Sequence, residues 1–223
     1  MPTQARSPAY SIRVGFEDEK RLAAEVAADL VENGMSVGLG TGSTVGYFLP
    51  ALAARALDIR CIATSLRTEH AARELGLAVE PFEQLDRLDV AVDGADQIAP
   101  DGWLVKGGGG AHTREKIAAA AAERFVVVAS SDKIVNRLSP PVPIEVSPFG
   151  IRATLRALGD VQLRDAPPTP DGGLIADHVG PIDDPGELAA HLDATPGVVA
   201  HGLFPPSLIA VVLIPLQLVE PFG

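Results

Sequence analysis

The sequence predicts an α/β fold: a Rossmann-like, mainly parallel sheet with helices on both faces, plus a small α+β ferredoxin-like domain. Three observations predict it. From residue 17 to about 129, short apolar runs alternate with helical stretches, the pattern of parallel strands joined by crossover helices. Glycine-rich turns, at 38–44 and 106–110, open onto helices. Near Ser139 the texture changes: Pro140, Pro141 and Pro143 interrupt the chain, and from there to about residue 203 it reads β-α-β-β-α-β, a split βαβ unit.

Each element has a local reason. Leu22, Val26, Leu30 and Val31 recur at helical spacing from Glu17, and Asn33-Gly34 stops that helix. Ser36 to Leu39 is a short strand running into Gly40-Thr41-Gly42-Ser43-Thr44, and a helix carrying Val45, Phe48, Leu49 and Leu52 comes next. Asp58 to Ala63 reads as a strand, Arg67 to Leu75 as a helix, and Ala78 to Phe82 and Arg87 to Val92 as strands. Trp103 to Val105 is a brief extended piece, Thr113 to Arg124 an alanine-rich helix, and Phe125 to Ala129 a buried β-branched strand. In the second unit Ile144 to Val146, Val161 to Arg164, Leu174 to Ala176 and Val198 to Leu203 read as strands. Phe149 to Leu158 and Pro185 to Leu192 read as helices, and Ile209 to Ile214 as a last strand that returns to the main sheet. The organisation expected is an N-terminal extension (1–15), an α/β domain (16–138 with 207–223) and a small α+β domain (139–206).

Composition narrows the function classes. The chain has 223 residues with a net charge of −11, a poor balance for holding nucleic acid or an anionic membrane through bulk charge. Hydrophobic residues make up 47%, ample for a core. The single cysteine, Cys61, excludes an intrachain disulfide and sits in an apolar run that reads as a buried strand. The first residues lack an apolar signal core, and the late apolar run breaks at Pro215, short of a membrane span, so a cytoplasmic protein is expected. Only four of the 18 basic residues are lysines: Lys20, Lys106, Lys116 and Lys133.

Three motifs carry chemistry. In Gly38-Leu39-Gly40-Thr41-Gly42-Ser43-Thr44, glycines admit a ligand to the backbone and the helix start offers unpaired N–H groups to an anion. It lacks the lysine of a Walker loop, and position 43 is Ser where a dinucleotide fingerprint needs its third glycine. The plain alternative is a helix capped by Ser43 or Thr44. Asp93-Gly94-Ala95-Asp96 places two acids at the carboxyl end of a strand, where open α/β sheets hold ligands, although Asp and Gly also make ordinary turns. Lys106-Gly107-Gly108-Gly109-Gly110-Ala111-His112-Thr113-Arg114-Glu115-Lys116 sets four glycines after a lysine, an entropically costly run that makes sense where backbone must meet a ligand. There Lys106 can hold an oxyanion and Glu115 can act as acid or base, the alternative being a flexible loop. The five histidines (70, 112, 178, 191 and 201) show no metal-ligand spacing and read as surface or satisfied structural residues.

Taken in order, these pieces resemble type A ribose-5-phosphate isomerase. The likeness covers Gly38 to Thr44, Thr64-Ser65 through Thr68-Glu69, Asp93 to Asp96, Lys106 to Lys116, and Ser131-Asp132-Lys133-Ile134-Val135. It continues in Pro143-Ile144-Glu145-Val146, Pro148-Phe149, Pro196-Gly197-Val198-Val199 and His201-Gly202-Leu203-Phe204. Gln97 departs from it, standing where the family usually has Glu. The resemblance implies a metal-free, cofactor-free interconversion of ribose 5-phosphate and ribulose 5-phosphate through an enediolate, in the non-oxidative branch of the pentose phosphate pathway. On this footing Glu115 is the base and Lys106 the oxyanion partner. Asp93 and Asp96 bind sugar hydroxyls and assist ring opening. Thr41, Gly42, Ser43, Thr44, Gly94, Ala95, Gly107, Gly108 and Gly109 line the site, with Lys20, Ser43, Thr44 and Lys133 on the phosphate. It further implies a homodimer or homotetramer, with a small sugar phosphate and neither nucleic acid nor membrane as partner.

Two other readings compete. A non-catalytic sugar-phosphate sensor on the same fold would keep Ser43, Thr44 and Lys133 without needing Glu115. Amino-sugar deaminases and acyl-CoA transferase relatives share the architecture but not the Lys-Gly-Gly-Gly-Gly…Thr-Arg-Glu-Lys run.

Overall fold

The computed structural model describes residues 15–215; the expected N-terminal extension, apart from Gly15, and residues 216–223 lie outside the described residues. In chain order the first elements are α1 (Phe16–Asp29), β1 (Ser36–Leu39), α2 (Ser43–Ala54), β2 (Arg60–Ala63) and α3 (Leu66–Glu74). Next come β3 (Leu88–Asp93), β4 (Gln97–Ile98), β5 (Leu104–Val105), α4 (His112–Ala121) and β6 (Ala122–Val128). After these stand β7 (Val142–Val146), α5 (Ile151–Leu158), β8 (Val161–Leu163), β9 (Leu174–His178) and α6 (Pro185–Ala194). The last are β10 (Val198–His201), β11 (Leu203–Phe204) and β12 (Val211–Leu213).

Five strands form a parallel sheet in the order β12-β6-β3-β1-β2. Strand side chains alternate between faces, and the two faces pack on different helices. Val90, Val92, Val126 and Val128 join α1 and α2 in one core cluster, whereas Ala91, Phe125 and Val127 join Ala118 and Ala119 of α4 in another. Cys61 is fully buried in β2, and burial pushes its thiol up to about 12. The chain runs outward from β1 to β2 and then crosses back to β3 on the other side of β1. The carboxyl ends of β1 and β3 therefore flank a topological switch point, where open α/β sheets bind ligands.

The second unit is a four-stranded antiparallel sheet in the order β10-β7-β9-β8, threaded as β7-α5-β8-β9-α6-β10, the split βαβ arrangement expected. The brief extended piece expected at 103–105 is β5 of a third sheet, β11-β5-β4, which was not itself expected. The run 198–203 is not one strand. It breaks at Gly202, whose carbonyl accepts from the Lys106 amide at 2.8 Å while its amide donates to the Pro143 carbonyl at 2.7 Å. A Cβ on Gly202 would stand 2.1 Å from the Lys106 carbonyl oxygen, so only glycine lets the chain pass between the sheets here.

Other expectations need correction. The alanine-rich helix ends at Ala121, three residues early, because Ala122 and Arg124 already pair with Leu88 and Val90 of β3. Residues 78–82 form no strand, only a bridge from Val79 to Cys61 and then a 3-10 turn at Phe82–Gln84. On α1 the buried face is alanine: Ala23, Ala24, Ala27 and Ala28 meet the core, while Leu22 and Val26 are exposed. Small side chains at i and i+4 let α1 lie close against α2, and close approach outweighs the size of the apolar residue.

Candidate active site

Three loops at the carboxyl edge of the parallel sheet, after β1, β3 and β6, and the glycine-rich loop after β5 enclose a cavity of about 160 Å³. Thr41, Gly42, Ser43, Thr44, Gly94, Ala95, Asp96, Lys106, Gly107, Gly108, Gly109, Glu115 and Lys133 line it. All but two of the residues singled out from sequence thus meet in one place. Asp93 lies just beneath the cavity, and Lys20 is outside its lining, paired with Glu17 at 2.6 Å.

The first loop is shaped for an anion. Gly40 approaches Asp93 so closely that a Cβ would stand 2.2 Å from the carboxyl carbon. Gly42 begins α2 at φ 134, in the left-handed region, and no side chain caps the helix. The plain capping role for Ser43 or Thr44 is therefore absent, and the helix N–H groups remain available on the cavity side. Thr41 is held by a hydroxyl relay that the sequence motif did not explain. Thr41 donates to Ser65 at 2.9 Å, Ser65 to Thr68 at 3.0 Å, and Thr68 to the Gly40 carbonyl at 2.8 Å.

The charged centre lies deeper. Lys106 is 2% exposed; its Nζ stands 2.9 Å from Asp93 Oδ2 and 3.2 Å from Glu115 Oε2, and also donates to the Gly94 carbonyl. Asp93 Oδ1 accepts from the amides of Thr41 at 3.0 Å and Gly94 at 2.7 Å. These contacts hold Asp93 against both the first loop and Lys106. Asp96 reaches the cavity and accepts from the Gly108 amide at 2.8 Å.

One ammonium faces two carboxylates here. Burial would strip Lys106 of its proton, but the Asp93 and Glu115 charges outweigh it and hold the amine at about 12. Glu115 is pushed up to about 8, by burial first and then by the Asp93 charge, which together exceed the pull of Lys106. Nearness to a lysine alone would have kept Glu115 an ordinary ionised carboxylate; enclosure with a second acid reverses that. A base with such a pKa suits proton abstraction near neutral pH.

Several contributors were given no role by the sequence. The centre of the Phe204 ring is 5.4 Å from Lys106 Nζ and 5.2 Å from Lys116 Nζ. Glu19, fully buried on α1, accepts from the Ser131 amide at 2.6 Å and its hydroxyl at 3.1 Å, fixing the turn that carries Lys133. Gln97 uses both ends of its amide on the Ser139 backbone, at 2.8 Å each, which a carboxylate could not do. The histidines are mixed. His70 and His191 are exposed, and His201 accepts from the Leu203 amide at 3.2 Å, but buried His178 has no hydrogen-bond partner for either ring nitrogen.

A larger groove of about 740 Å³ lies elsewhere, lined by Ile62, Leu66, Ile117 and Val199 among others. Its Arg114 and Asp171 pair with each other at 2.6 and 2.7 Å.

Comparison with known proteins decides the family. Residues 60–215 match the family model described as ribose 5-phosphate isomerase A (phosphoriboisomerase A). The chain belongs to the ribose 5-phosphate isomerase A family. It is 50% identical over 202 residues to the ribose-5-phosphate isomerase A of Roseiflexus castenholzii, covering 83% of this chain and 86% of that one. Among solved structures it resembles the ribose 5 phosphate isomerase A of Neisseria gonorrhoeae, with TM-score 0.84 and 33% identity, over 89% of this chain and 92% of that one. It equally resembles a D-ribose-5-phosphate isomerase in complex with phospho-erythronic acid, with TM-score 0.84 and 34% identity, over 90% and 96% of the two chains.

Proposed function

We propose that this chain interconverts ribose 5-phosphate and ribulose 5-phosphate, as the names of its relatives imply, and serves the non-oxidative pentose phosphate pathway. The observation that carries this reading is the buried contact of Lys106 with Glu115, 3.2 Å apart, at the cavity wall. Glu115 takes the proton from carbon 2 of the open aldose and returns it to carbon 1, the hydroxyl proton passes from oxygen 2 to oxygen 1 within the intermediate, and the Lys106 ammonium stabilises the negative oxygen of the enediolate between. Asp96 holds sugar hydroxyls and assists ring opening, while Asp93 keeps Lys106 in place. The uncapped start of α2, with Ser43, Thr44 and Lys133, takes the phosphate, and Lys20 joins them on leaving Glu17. Anchoring the phosphate away from the reacting carbons positions them and supplies remote binding energy. The complex of a relative with phospho-erythronic acid, a phosphorylated sugar acid, supports a site for this substrate class. A sensor would have no use for a base buried against an ammonium.

The catalytic unit is residues 16–138 with 207–223, and 139–206 form the small one. A homodimer or homotetramer is supported by exposed apolar side chains, Phe149 at 91% and the groove residues Leu66, Ile117 and Val199. Among the described residues no helix is long and apolar enough to cross a membrane, in keeping with a cytoplasmic place.

Purified protein incubated with ribose 5-phosphate and EDTA is expected to form ketose. No ketose under these conditions would overturn the reading.

A further inference from the structure

The four-glycine loop poses a physical problem that the chemistry does not solve. Glycine loses the most conformational freedom on ordering, so 107–110 should be the loosest backbone near the reaction. Gly107 at φ 96 and Gly110 at φ 76 both hold left-handed conformations, which adds to the choice of states available to this run. Yet the loop walls the cavity, and Asp96 relies on its Gly108 amide. A tolerance of about 1 Å is what such a site permits.

We propose that Arg164, from the small antiparallel unit, is a positioning residue that braces this loop from behind. Its own geometry is fixed first. Arg164 stands just after β8, its amide donates to the Ile175 carbonyl at 2.8 Å, and Asp177 of β9 grips its guanidinium as a fork, Nε to Oδ2 at 2.7 Å and Nη2 to Oδ1 at 2.6 Å. That fork leaves Nη1 for the loop, where it donates to the Gly108 carbonyl at 3.0 Å and lies 3.5 Å from the Gly107 carbonyl. The Gly108 amide is held on the other side by Asp96 at 2.8 Å, so the peptide units flanking Gly108 are gripped from two directions. A trans peptide points its N–H opposite to its C=O. Fixing the Gly108 carbonyl on Arg164 therefore turns the Gly109 amide away from the small sheet, and Gly109 lines the cavity. Two further contacts close the brace: His112 packs under Gly107, where a Cβ would stand 2.7 Å from the ring, and Ile175 packs against Gly110. A lysine could not replace Arg164, since one ammonium cannot span a carboxylate fork and two carbonyls.

This inference rests on the isomerase reading only for its kinetic consequence, so the test has a second arm. Arg164→Met is expected to lower kcat by about ten- to a hundredfold with KM within threefold of wild type, because phosphate anchoring is untouched. Arg164→Ala is expected to recover several-fold with millimolar guanidinium chloride but not with equal sodium chloride. Amide hydrogen exchange at 107–110, read on the same proteins, is expected to accelerate at least tenfold in Arg164→Met and not in the exposed control Arg152→Met. Unchanged exchange at the loop would overturn the brace even if the wild type proved inactive on ribose 5-phosphate. A kcat within threefold of wild type, or a loss that guanidinium does not restore and that tracks a lowered melting temperature, would overturn it as well.

Discussion

Every residue lining the small cavity lies between Thr41 and Lys133, and the antiparallel sheet of 142–201 contributes none. At the cavity the parallel unit holds its charges enclosed and in excess: Lys106 answers two acids, and Glu115 keeps a proton up to about 8. The antiparallel unit forks Arg164 on Asp177 and, across to α4, takes Arg114 on Asp171, while its buried Glu145 accepts from the hydroxyls of Thr113 and Thr169. Matched pairs near the surface cost little to form and are worth little when lost, but they fix geometry. Mismatched buried charges are expensive and are found where a proton has to move. On the proposed reading, one unit performs the chemistry and the other holds its backbone still.

Three substitutions can break this contrast. The largest effect is expected at Glu115→Gln, which keeps the shape and removes the base. Its kcat should fall by about 10³-fold, while ribose 5-phosphate still protects the protein in a thermal melt. A tenfold loss or less would move the base elsewhere. Next, Lys133→Ala should raise KM about tenfold and leave kcat within threefold, measured at saturating substrate. A fall in kcat with KM unchanged would remove Lys133 from the phosphate end. The smallest effect belongs to the larger groove. Ile117→Ser, on the exposed face of α4 two residues from Glu115, should change kcat/KM by less than about twofold. A large loss there would show that the groove takes part in turnover.

Much of the site was legible because its parts are local. Glycines at 40 and 42, the acids at 93 and 96, and lysine with its glycines at 106–110 each answer a nearby steric or electrostatic demand, and strand order alone brings them together. The β-α-β-β-α-β order of the second unit was legible for the same reason. What escaped depends on distances between elements. Leu22 and Val26 look like a core stripe, but the spacing of α1 and α2 selects alanine. The strand at 198–203 looks continuous, but Gly202 passes it from one sheet to another. Arg164 and Glu19 belong to no local pattern, and the proton affinity of Glu115 depends on Asp93, twenty-two residues away, and on burial that a linear motif does not encode.

The pH dependence of kcat/KM tests the central claim most directly. The free enzyme's base must be ionised to act, and burial with Asp93 raises Glu115 to about 8. The rate constant should therefore climb with pH, tenfold per unit below the midpoint, and level off above about pH 8. A profile already flat from pH 5.5 upward would mean an ordinary carboxylate at Glu115, and would contradict the account of a buried, over-acidic centre.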